Sequence, residues 1–184
     1  MRIVHIEDFF HPDAGYQVNI LSKYQTRLGH EVYVITSEFK KIPTYLKCFF
    51  GDENISALDD EFKKKYKVNI IRIPLIAYIS GRAIYNGKIF SIIDELKPDI
   101  LYVHGNDTYI GIRYILKSNH LKYPIISDNH MARMASRNKF RNIFYYLYRN
   151  MVTPYIIKNN IKIMRMSDDD YVNKYLGVPI EQSP

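Results

Sequence analysis

At 184 residues and 47% hydrophobic content, the chain is long enough to bury a sizeable core as one domain. Its single cysteine, Cys48, excludes an intrachain disulfide, argues against a thiolate metal site, and fits a reducing cytoplasm. The formal charge of +7 is uneven: residues 129–167 hold eight Lys or Arg and no Asp or Glu. A face built from that interval attracts phosphate, on a membrane, a nucleotide or a nucleic acid. The N-terminus lacks the pattern of a signal peptide, and no run approaches the roughly 18 apolar residues of a bilayer span.

In chain order, Ile3, Val4 and Ile6 form an apolar run suited to a buried parallel strand. Val18, Leu21, Tyr24 and Leu28 recur at helical spacing, and Gly29 offers a residue of positive φ to end that helix. Val32, Val34 and Ile35 give a second strand. Short helices are expected at 44–50 and 56–65, then a third strand at 68–74. Tyr85, Ile89, Ile92, Ile93 and Leu96 predict an amphipathic helix stopped by Pro98. Residues 99–104 read as a fourth strand and 108–119 as a helix with Ile112, Ile115 and Leu116 inward. Strands at 123–127 and 161–166 follow, then a final helix at 168–176 entered through Ser167. This alternation predicts an α/β fold, an open, mainly parallel twisted sheet with helices on both faces.

The opening HIEDFFHPDAGYQVN, followed by RLGHEVYVIT, resembles the start of family 4 glycosyltransferases, which are retaining enzymes built from two facing Rossmann-like domains. Phe10, Pro12, Gly15 and the run Gly29-His30-Glu31-Val32 carry the match, with Ala14-Gly15 where two glycines are common. PDILYVHG and YPIISDNH are similar to the family's paired strands, each commonly ending in histidine, and RMSDDDYVNKYLGVP to its later segment. The resemblance implies that residues 1–184 are a single Rossmann-like, acceptor-side N-terminal domain. It further implies that the donor-binding C-terminal domain, with its basic pair and E-x7-E motif, is absent. It implies sugar transfer from a nucleotide sugar to a glycan or polyprenyl-linked acceptor with retention, as in surface polysaccharide synthesis. No metal or other cofactor is expected, and the chain alone is expected to be inactive. Its partners would be the missing domain or a second copy.

Within that frame the site residues are assigned. His130, at the end of the fifth strand, is the candidate catalytic group; an imidazole there can donate a hydrogen bond or share the acceptor hydroxyl's proton. The alternative is a histidine that only bonds a loop carbonyl. Gly15, just before a helix, is the candidate for close approach of the donor diphosphate, or else a turn glycine without a ligand. His104, Asn106, Asp128, His11 and Arg133 are candidate acceptor contacts. An Asx-turn before Thr108 accounts for Asn106 and Asp107 almost as well, and Asp128 could simply cap a turn. His5, His30 and His120 are read as structural.

Phe140, Phe144, Leu147, Tyr148 and Met151 form an apolar stripe flanked by Arg137, Arg141 and Arg149. The segment 137–151 is either a peripheral contact with the inner face of the cytoplasmic membrane or a helix packed on the sheet with solvated arginines. Two other classes remain. A nicotinamide-dependent oxidoreductase would use Glu38 on a ribose, but HPDAGYQVN is not G-x-G-x-x-G. A non-catalytic module would pair with a separate donor-binding domain. Nucleic-acid binding lacks a supporting motif.

Overall fold

The computed structural model describes residues 1–38, 55–79, 81–130, 139–166 and 170–184. Strands β1 (Arg2–Ile6), β2 (Glu31–Ser37), β3 (Val68–Ile73), β6 (Ile100–Val103), β7 (Ile125–Asn129) and β8 (Lys162–Arg165) form an open parallel sheet in the order β3-β2-β1-β6-β7-β8. That order, reversing between β1 and β6, is the doubly wound, Rossmann-like arrangement. The two remaining strands, β4 (Leu75–Ile79) and β5 (Arg82–Tyr85), make a separate antiparallel hairpin. The chain divides into two compact units, residues 1–102 and 103–184.

In the first unit, helices α1 (Gln17–Arg27) and α2 (Ile55–Tyr66) cover β1–β3, and α3 (Lys88–Leu96) follows the hairpin. Phe10, Val18, Val32, Val34, Phe62 and Val68 form one buried cluster, with the Phe10 and Phe62 rings edge-on at 5.5 Å. Phe10 is fixed there because its N–H donates to Thr36 Oγ1 at 3.0 Å. Gly29 adopts φ +84° and ends α1 as its position in the sequence predicts. Helix α1 is rotated from its expected face, however. Val18, Asn19 and Ser22 are buried, whereas Tyr24 and Leu28 are exposed. Asn19 goes inward because its amide donates to the His11 and Pro12 carbonyls, at 2.9 and 3.1 Å.

Tyr85 belongs to β5 and not to the amphipathic helix, which begins at Lys88. The Asn86 side chain accepts from the Lys88 N–H at 2.7 Å and so starts the helix. Tyr85 is instead buried beneath the hairpin, where its hydroxyl donates to the Glu7 and Asp8 carbonyls. Burial, with the charges of Asp8 and Glu7, pushes its phenol well up.

In the second unit, α4 (Tyr109–Lys117), α5 (Arg141–Leu147) and α6 (Thr153–Lys158) accompany β7 and β8. A π-helical turn, Tyr148–Val152, joins α5 to α6. Pro154 cannot donate to the Asn150 carbonyl, and the helix widens just before it. The helix expected at 168–176 is a single π turn, Tyr171–Tyr175, closed by Gly177 at φ +72° and followed by a 3-10 turn, Ile180–Gln182. Its expected cap, Ser167, and the helix expected at 44–50 lie outside the described residues.

Arg72 of β3 binds the first unit together. Its guanidinium donates to both oxygens of Asp59 in α2, at 2.6 and 2.8 Å, and to the Ser37 and Phe10 carbonyls, both at 3.1 Å. Both side chains are mostly buried, so removing the cation strands a carboxylate and two carbonyls. Arg72→Ala should lower stability by about 3 kcal/mol in urea denaturation. Arg72→Lys, lacking the planar fork, should recover less than half of that loss.

Candidate functional site

Strands β6 and β7 end side by side in the second unit, each followed at once by a histidine: His104 after Val103, His130 after Asn129. The carboxylate of Asp128, in the last turn of pleat of β7, is fully buried between them. Its Oδ2 lies 2.7 Å from His104 Nδ1 and 3.2 Å from His130 Nε2, and its Oδ1 accepts from the Gly105 N–H at 2.8 Å. An ionised carboxylate only accepts, so both facing ring nitrogens carry protons. The shared carboxylate thereby fixes the orientation of both rings. The two rings differ in access. His104 is buried, whereas the His130 side chain is 47% exposed.

Burial alone would push the Asp128 carboxyl up. Hydrogen bonds from His104 and His130, and the charge those rings can carry, more than offset burial and hold it well below the usual carboxylate range.

The loop after β6 is shaped to permit this. Gly105 has φ +86°, and a Cβ there would meet Thr108 Cγ2 at 2.5 Å. Thr108 caps α4: its Oγ1 accepts from the Gly111 N–H at 3.0 Å and donates to the Gly105 carbonyl at 2.7 Å. Gly111 is equally constrained, since a side chain would run into the Gly105 carbonyl oxygen.

Below the carboxylate lies a polar network that the sequence reading missed. The Asn106 amide donates to Tyr148 Oη at 2.8 Å, and Asn129 Nδ2 donates to Asn106 Oδ1 at 2.5 Å. The Tyr171 hydroxyl donates to Asp107 Oδ2 at 3.2 Å. Asn106 is fully buried and fixes the loop from beneath. The available signal was the identity of the buried stripe after residue 144: Tyr145 and Tyr148 carry hydroxyls, which buried positions rarely leave without a partner.

The second unit thus brings His104, Asn106, Asp128 and His130 together. Arg133 lies outside the described residues. In the first unit His11 is buried, its Nδ1 accepting from the Asp13 N–H at 3.2 Å and its carbonyl from the Ala14 N–H at 3.1 Å, so it braces the loop before α1. Gly15 is exposed on that loop, with no atom within 4 Å of where a Cβ would stand. It lines a cavity of about 490 Å³ with Pro12, Lys23, Phe62, Lys65 and Tyr66 among others. His5 is structural, its ring bonded to Gln25 at 2.7 Å.

Among the described residues, His104, Asp128 and His130 also present metal-type donor atoms within 4.8 Å of one another. Two of the separations, 2.7 Å and 3.2 Å, are also hydrogen-bond distances, with one carboxylate oxygen shared by the two rings.

No family model and no curated protein matches the sequence. Among solved structures, the chain superposes on HepE from Anabaena, determined in complex with UDP and glucose, with a TM-score of 0.53 and 10% identity. That match covers 100% of this chain and 43% of HepE. It also superposes on a protein from Enterococcus faecalis described as a 2-keto-3-deoxygluconate kinase, with a TM-score of 0.53 and 10% identity. That match covers 96% of this chain and 61% of the other. At such identity the likeness is one of fold, and the chain spans less than two thirds of either neighbour.

Asp128→Asn supplies an amide N–H where two ring N–H groups already point, or leaves one of them unbonded. Stability at pH 7 should fall by about 2–3 kcal/mol. Because the folded carboxyl is depressed, its contribution is present above the unfolded value of about 3.9 and disappears as pH falls through the folded value. Urea denaturation across acidic pH should therefore show a steeper loss below about pH 4 in the wild type than in Asp128→Asn.

Proposed function

We propose that this chain is the acceptor-side domain of a retaining, family 4-like glycosyltransferase, in which His130 meets the hydroxyl that receives the sugar. One observation supports this reading above the others: an exposed imidazole held by a buried carboxylate at the C-terminal ends of adjacent parallel strands. Active groups in open α/β sheets gather at that edge. Asp128 orients the His130 ring, and that imidazole is the group that would accept a proton from, or as imidazolium donate to, an incoming hydroxyl. His104 and Gly105 hold Asp128 in place, and Asn106 positions the loop that carries them. These three act through Asp128.

The donor is a nucleotide sugar, the ligand class represented by UDP and glucose in HepE. Its diphosphate is received at the open backbone around Gly15, where the start of α1 carries no acidic residue in its first turn. Helix dipoles and basic side chains offset the diphosphate charge in this reading. Retention at the anomeric carbon follows from the family resemblance. The chain spans 43% of HepE, and in this reading the 184 residues would not transfer sugar by themselves.

The test is a titration of the 15N-labelled chain with gluco- and galacto-configured oligosaccharides. The ring resonances of His130 should shift saturably with at least one of them. His130→Ala should weaken that binding roughly tenfold, the upper end of the worth of one hydrogen bond. Rings that never respond to any saccharide would sink the acceptor role and leave the cluster as a structural brace. Sugar transfer from UDP-glucose by the purified chain would instead overturn the half-enzyme assignment alone.

A further inference from the structure

The helical segment from α5 through α6 has two apolar faces. Tyr145, Tyr148, Val152 and Ile156 are buried and supply the packing of the second unit. The opposite side is just as apolar and faces outward: Phe140 is 70% exposed, Ile143 58%, Tyr146 68%, Leu147 47% and Met151 56%. The stripe expected from sequence is thereby split. Tyr148 turns inward with Phe144 half-buried, whereas Phe140, Leu147 and Met151 join Ile143 and Tyr146 outside. Large apolar side chains gathered on one exposed helix face mark an interaction surface.

The charge around this face selects its occupant. Lys139, Arg141, Arg149 and Lys158 are exposed along the same segment, within an interval, 129–167, that holds no acidic residue. A second copy docking through the same face would bring these cations together in a chain already at +7. Nucleic acid would satisfy the cations but leave Ile143, Leu147 and Met151 nothing to bury against. An anionic bilayer satisfies both, taking aliphatic and aromatic groups at the acyl boundary and cations at the phosphates. No helix among the described residues is long and apolar enough to cross a membrane, so the contact is one of lying on the surface.

We propose that the outward face of residues 140–151 is a docking surface for an anionic lipid bilayer, centred on Ile143, Tyr146, Leu147 and Met151 and ringed by Lys139, Arg141 and Lys158. It stands without the sugar-transfer reading, since it rests on the exposed helix and its charge alone.

The experiment is co-sedimentation of the chain with vesicles. Vesicles of equal parts phosphatidylcholine and phosphatidylglycerol should bind it, and phosphatidylcholine alone should bind it at least tenfold more weakly. Salt of about 0.5 M should reduce binding to the anionic vesicles several-fold as the screening length contracts. Ile143→Ser/Leu147→Ser changes exposed positions only, so its circular dichroism and melting should match the wild type. Its vesicle binding should fall roughly tenfold or more. Lys139→Gln/Lys158→Gln should weaken binding in low salt and remove most of the salt effect. Absence of binding to anionic vesicles, or wild-type binding by the double serine variant, overturns the proposal. So does a wild-type dimer in sedimentation velocity that the double serine variant dissolves, because the face then belongs to a second copy. Tight binding of single-stranded oligonucleotide with none to vesicles overturns it in favour of nucleic acid.

Discussion

A carboxylate with no exposure to water has to be compensated by donors or it will not stay ionised, and Asp128 sets that requirement for the whole second unit. Three donors meet it: His104, His130 and the Gly105 N–H. Each carries its own condition. The Gly105 N–H reaches Oδ1 only because the backbone there takes φ +86°, which a side chain would resist. His104 must be buried to approach Oδ2, and Asn106 must follow it inward, where its amide needs partners in turn. Tyr148 and Asn129 supply them. Burying one charge thus dictates a glycine, two histidines, two asparagines and a tyrosine over three segments of chain.

The sequence was most legible where burial on both sides leaves a simple pattern. All six strands of the main sheet correspond to apolar runs such as IVHI and DILYV, and the histidines that end two of them stand together as their positions suggest. It was least legible where polar groups took the inward positions. Helix α1 turned because Asn19 found two loop carbonyls, which outweighed the burial of Tyr24 and Leu28. The β4–β5 hairpin was hidden because its second strand, RAIY, ends in a tyrosine that also fits the spacing of the following helix. The short apolar run LIAYI and the glycine at 81, with φ +82°, were the available hairpin signals. The site itself was half visible. His104, Asn106, Asp128 and His130 were all nameable, but that His104 and His130 share one oxygen of Asp128 is a fact of pairing geometry that no local pattern encodes.

Hydrogen bonding and packing also explain why the apolar side of the α5–α6 segment remains outside. Tyr148 is held by its hydroxyl to the Asn106 amide and backs onto Phe144, with ring centroids 5.8 Å apart. Tyr145 packs against Tyr171 and Tyr175, at 5.8 and 5.3 Å. Turning the helix to bury Leu147 and Met151 would break the Tyr148–Asn106 bond and pull those rings apart. The Asn106 amide would then lose its acceptor in a place water does not reach, at a cost of about 1–3 kcal/mol. Two exposed aliphatic side chains recover roughly that much each if fully buried, but rotation would expose Tyr145 and Tyr148 in exchange. The inward face wins because it carries both the aromatic packing and the polar anchor. The polar network that steadies the loop between His104 and Thr108 is therefore also what keeps the opposite face of the helix turned to the outside.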